Sequence, residues 1–106
     1  MGVRNNLNAE EKDGSTDLMW AAFAGQKEKA ELLIQEGADM NATNKYGSTA
    51  LMWAAVKGYT EVTKLLVKAG ADVNTKNSYG KTALEYARDK DHDDIVQLLL
   101  EAGAKE

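Results

Sequence analysis

The sequence repeats itself with a period of 33 residues, and that period limits the possible folds more than any other property of the chain. Gly14, Gly47 and Gly80 share a register, as do Thr16, Thr49 and Thr82. Leu18, Leu51 and Leu84 follow, then Ala21, Ala54 and Ala87. The pairs Leu32-Leu33, Leu65-Leu66 and Leu98-Leu99 fall in step, and so do Gly37-Ala38, Gly70-Ala71 and Gly103-Ala104. Segments 14–46 and 47–79 agree at about half of their positions without a gap. The register also runs upstream, where Leu7-Asn8-Ala9 aligns with Met40-Asn41-Ala42 and Val73-Asn74-Thr75. The expected organisation is one domain over 1–106. It comprises a tail with a partial repeat (1–13), two full repeats (14–46 and 47–79) and a C-terminal capping repeat (80–106).

Each repeat reads as two short helices and a connector. Thr49 can cap a helix over 50–57, its hydroxyl accepting a free N–H of the first turn. In the third repeat Thr82 and Glu85 have the spacing of a capping box. Gly25 and Gly58 close the first helices in the left-handed conformation that glycine adopts freely. Second helices are predicted over 27–36, 60–69 and 93–102, ending at Gly37, Gly70 and Gly103. The connector, Ala38 to Gly47 in its first copy, is rich in Asn and Gly and is expected to form a hairpin or turn. Such short helices are unstable alone, so their apolar faces must be buried by neighbouring repeats. Leu65 and Leu66 are expected to contact the repeats on both sides.

A unit reading Gly-x-Thr-x-Leu-x-x-Ala-Ala, then Gly, Leu-Leu and Gly-Ala-Asp-x-Asn, resembles the ankyrin repeat over residues 7–106. The resemblance implies an all-α repeat solenoid, a stack of antiparallel helix pairs linked by β-hairpin or turn loops. There are departures. The family's usual Thr-Pro-Leu-His is here Thr16-Asp17-Leu18-Met19, Thr49-Ala50-Leu51-Met52 and Thr82-Ala83-Leu84-Glu85. The side-chain bond which that histidine usually makes to the adjacent hairpin has no donor in this chain. The end repeats are more polar than the middle one, as solenoid ends must be. Arg88-Asp89-Lys90-Asp91-His92 replaces Ala55-Val56-Lys57-Gly58-Tyr59.

Composition removes most chemistry. Without cysteine there is no disulfide, thiolate nucleophile or redox pair. No apolar run approaches the length of about 20 residues that spans a bilayer. The polar stretch 1–13 lacks a signal-peptide core, and Asn6 breaks the myristoylation pattern. A reducing intracellular compartment such as the cytoplasm is therefore expected. A net charge of −4 disfavours binding to nucleic acid, which needs a basic face to release counterions. The single histidine, His92, lies among Asp91, Asp93 and Asp94. Consecutive positions at a helix start splay outward, so these residues read as a favourable helix N-terminus rather than as metal ligands. Ser15, Ser48 and Ser78 have no base at hand for nucleophilic catalysis. No enzyme, cofactor or metal is expected.

What remains is surface. On a wheel of residues 17–24, Leu18, Ala21 and Ala22 form the core side, and Trp20 points about 160° away. Trp53 and Tyr86 hold the same place in the next repeats. The resemblance places this face along a concave groove beside the hairpin tips. An aromatic ladder about 20 Å long would then meet some six residues of an extended partner. The competing reading is that the rings lie over Met19 and Met52 as packing. Phe23, Val56, Lys57, Asp89 and Lys90 are further groove positions implied by the resemblance. The tips contribute Lys45, Tyr46, Ser48, Lys76, Tyr79 and Lys81, a set suited to an acidic or aromatic peptide, and also residues 10–13. Two functions fit. One is a monomeric, non-catalytic module that binds a protein or peptide. The other is a consensus-type or engineered scaffold with no selected partner.

Overall fold

The computed structural model describes residues 14–105. The upstream partial repeat and the expected tip at 10–13 lie outside the described residues. Six helices follow one another in three antiparallel pairs: α1 (Asp17–Ala24) with α2 (Lys27–Gln35), α3 (Ala50–Lys57) with α4 (Thr60–Lys68), and α5 (Ala83–Asp89) with α6 (Asp93–Glu101). The pairs stack in two layers. The first helices pack as α1–α3–α5, and the second helices as α2–α4–α6 behind them.

Local chemistry sets the helix ends. Thr16, Thr49 and Thr82 each accept a hydrogen bond at 3.3 Å from the N–H three residues on. Glu85 completes the capping box by accepting from the Thr82 N–H at 2.9 Å. Such caps contribute about 1 kcal/mol apiece. The second helices each end one residue earlier than predicted. The chain then turns through the glycine, and the N–H groups of Ala38, Ala71 and Ala104 return to the carbonyls of Leu33, Leu66 and Leu99.

Small side chains set the stacking distance. Ala21, Ala22, Ala54, Ala55 and Ala87 are all fully buried, so the first helices approach closely. Met19 and Ala22 of α1 are buried, as are Met52 and Ala55 of α3 at the same positions. The corresponding residues of α5, Glu85 and Arg88, are exposed. In each Leu-Leu pair the second leucine is the core residue. Leu66 is 0% exposed and Leu65 only partly buried, whereas Leu32 in the first repeat is 58% exposed. Adjacent helical positions lie about 100° apart, so Leu66 points into the core while Leu65 packs at its margin.

No strand occurs among the described residues, so the connectors are turns rather than hairpins of paired strands. Each turn is closed by two backbone bonds: Asn44 N–H to the Ser48 carbonyl and Gly47 N–H to the Asn44 carbonyl in one, Asn77 N–H to the Lys81 carbonyl and Gly80 N–H to the Asn77 carbonyl in the other. An asparagine side chain takes up the N–H groups that a strand ladder would otherwise satisfy.

Candidate functional site

The turns and the first helices build one continuous surface. Asn44 and Asn77, both buried, anchor the turns. The Asn44 Oδ1 accepts from the N–H groups of Tyr46 (2.9 Å) and Ser48 (3.0 Å). The Asn77 Oδ1 accepts from those of Tyr79 (2.9 Å) and Lys81 (3.1 Å). Asparagine suits the task because its short amide reaches its own backbone two residues on. The turns also hold one another, since the Ser78 N–H donates to the Tyr46 carbonyl at 2.8 Å. At Gly47, φ is 73° and a Cβ would stand 3.1 Å from the Asn77 Cα. Only glycine suits both the left-handed backbone and the close approach of the next turn. Asparagine side chains thus hold each turn from within. An Asn-x-x-Gly recurring in register, at Asn44–Gly47 and Asn77–Gly80, is the signal that could have assigned this role from sequence.

The turns present the rings of Tyr46 and Tyr79 side by side, with centroids 6.5 Å apart and planes inclined by 20°. Both rings are exposed. The Lys45 Nζ lies 5.2 Å from the centroid of the Tyr46 ring. Lys76 is directed elsewhere. With Glu85, Arg88 and Lys105 it lines a shallow depression on the outward side of the third repeat.

The first helices provide the floor. Trp20 (46% exposed) meets Phe23 (38% exposed) edge to face at 6.0 Å, and Phe23 meets Trp53 edge to face at 5.2 Å. Both geometries suit the ring quadrupole. Phe23 therefore stands between the two tryptophans, and the line expected from one ring per repeat is an interlocked chain. Two apolar notches flank Trp53. One, of about 220 Å³, is lined by Ser15, Met19, Trp20, Phe23 and Trp53. The other, of about 110 Å³, is lined by Ser48, Met52, Trp53, Val56 and Tyr86. Trp20 is exposed, whereas Trp53 is partly buried and packs on the core.

Tyr86 is a closing wall. Its hydroxyl accepts from the Asn77 Nδ2 at 2.7 Å, and the Lys81 Nζ lies 5.5 Å from its ring centroid. Lys81 also bonds Asp89, and this contact, hydrogen bond first and charge second, raises the lysine pKa above its ordinary 10.5. At the far edge of the floor the Lys57 Nζ lies 4.9 Å from the Phe23 ring centroid.

His92 has a packing role. Its Nε2 lies 3.3 Å from the Val56 carbonyl, at which the protonated nitrogen can donate, and its ring covers Gly58. Among the described residues no group of three or more side chains is arranged to hold a metal ion.

The family model described as ankyrin repeats, in three copies, matches residues 18–106. The chain belongs to the ankyrin repeat family. No curated protein matches it in sequence. Ankyrin repeats are generally protein–protein interaction modules, and the family is typically non-catalytic. Among the described residues no helix is long and apolar enough to cross a membrane.

Proposed function

We propose that this ankyrin repeat chain is a non-catalytic binding module that holds a segment of another protein across Trp20, Phe23 and Trp53. The observation that supports it most is the run of interlocked, half-open aromatic rings across two repeats, fringed by the exposed pair Tyr46 and Tyr79. Large exposed aromatics in one contiguous patch are uncommon on a surface without a partner, and Trp and Tyr are the usual anchors of interfaces. The backbone beneath is preorganised by the caps and the asparagine turns, which lowers the entropy lost on binding. The reading also takes the chain to act as a monomer in a reducing compartment, in keeping with a sequence free of cysteine.

The test is selection from a displayed library of natural protein fragments, followed by titration of the selected fragments against Trp53→Ala and Trp20→Ala. Trp53 serves both notches, so its truncation should weaken binding by about 2 kcal/mol or more, roughly thirtyfold. Trp20→Ala should also weaken binding while leaving the thermal melt nearly unchanged. A selection that returns nothing dependent on these rings favours the structural-scaffold reading.

A further inference from the structure

The groove has a floor and two edges of different chemistry. Its floor is apolar, made by the two notches that share Trp53. The turn edge carries Lys45, and the edge at the helix C-termini carries Lys57 and Lys90. These edges are separated by the eight residues of α3, about 12 Å at 1.5 Å per residue. Among the described residues the carboxylates on this side are Asp17, half-buried in the first turn of α1, and Asp89, which is bonded to Lys81. A chain of net charge −4 thus places Lys45 on one edge of its aromatic groove and Lys57 and Lys90 on the other.

We propose that the groove takes an extended, acidic segment in polyproline-type conformation, with apolar side chains three residues apart and carboxylates between them. This rests on the binding-module reading above. Two matches support it. Adjacent helices pack about 8–10 Å apart, so the notches recur at that interval. A polyproline-type helix has three residues per turn and rises about 3.1 Å per residue, so every third side chain returns to one face after about 9.3 Å. Its remaining two rows point to either side, towards Lys45 on one edge and Lys57 and Lys90 on the other. A β-strand returns a side chain to the same face after about 6.7 Å, out of step with the notches. An α-helix about 10 Å wide would nearly fill the space between the edges and returns a side chain to one face about every 5.4 Å, out of step with the notches. The notches are small, at about 220 and 110 Å³, which suits one apolar side chain in each. A second copy of the chain would set its own groove lysines against these, which like-charge repulsion disfavours.

The experiment is selection on the full chain from a displayed library of random peptides of about twelve residues, enough at 3.1 Å each to cross both notches. Each selected peptide is then titrated against the wild type, Trp53→Ala and Lys57→Glu by intrinsic tryptophan fluorescence or calorimetry. Expected are peptides rich in Asp and Glu with apolar residues at intervals of three, lost on Trp53→Ala. Lys57→Glu should weaken them about fivefold to tenfold, beyond any change in its thermal melt from the lost Lys57–Phe23 contact, and added salt should weaken them further. Peptides that depend on Trp53 but are basic, neutral or spaced as strands or helices overturn this inference and leave the binding-module reading standing. Peptides bound equally by Trp53→Ala, or none at all, overturn the inference. If the natural fragments also show no dependence on Trp53, the binding-module reading falls with it.

Discussion

The ring of His92 fills the space above Gly58, so that a Cβ on that glycine would meet the imidazole at 2.6 Å. Tyr59 stands in the same relation to Gly25, at 2.9 Å. The second and third repeats thus lay the residue before their second helix over the glycine that closes the first helix of the repeat before. Gly58 also has φ 77°, where an L side chain costs about 1–2 kcal/mol. Gly58→Ala should therefore lose about 2 kcal/mol or more in denaturant unfolding. Adding His92→Ala should recover the part due to the clash and leave the backbone part. Simple additivity of the two changes would mean that the ring does not press on Gly58.

At the same position of the third repeat stands Asp91, the one described non-glycine residue with positive φ, at 59°. It is exposed, so its side chain meets no ring and only the backbone strain is left. Asp91→Gly should raise stability by about 0.5–1 kcal/mol, seen as a higher denaturant midpoint at unchanged slope. A loss of stability would show that the aspartate side chain contributes more than the strain costs.

Leu66→Ala should cost about 2–5 kcal/mol, the range for a fully buried leucine. Leu32→Ala, at an exposed site, should stay within about 0.5 kcal/mol. Equal losses at the two sites would contradict the stacking register.

Asn77→Ala removes the acceptor for two backbone N–H groups and the donor to the Tyr86 hydroxyl. The expected cost is about 1–3 kcal/mol, with faster amide exchange confined to residues 77–81. Unchanged exchange would show that the backbone bonds alone hold the turn.

The Lys81–Asp89 pair is half-exposed and screened by water. Because the lysine pKa is raised, the pair's contribution is complete below 10.5 and is lost as pH rises through the raised value. The stability difference between the wild type and Lys81→Met should be constant near neutrality and vanish in strong alkali. A difference that changed between mildly acidic and neutral pH would point to another group.

Helix positions, caps and core register were legible in the residues themselves, and the antiparallel pairing followed from the resemblance to ankyrin repeats. Thr16, Thr49 and Thr82 cap through atoms three residues away, and the glycines end helices through their own backbone, so local sequence carries the information. The turns were legible as turns, but not the means by which Asn44 and Asn77 hold them. Nor was Phe23 legible as the link between Trp20 and Trp53, because that contact crosses from one repeat to the next. The likeness of Trp20, Trp53 and Tyr86 in sequence suggested three equal rungs. Instead Trp20 is open, Trp53 is shared by two notches, and Tyr86 is tied to Asn77 beneath Lys81.

The sequence by itself determined the period, the helix ends and which face of each helix is apolar, because each depends on residues within a few positions of one another. The tertiary structure alone decided which of two adjacent leucines is core, which aromatic ring is exposed, and why Gly58 is glycine while Asp91 is not. Those outcomes depend on what the neighbouring repeat brings within 4 Å. A stacked repeat has different neighbours at its two faces, so identical residues in register acquire different surroundings.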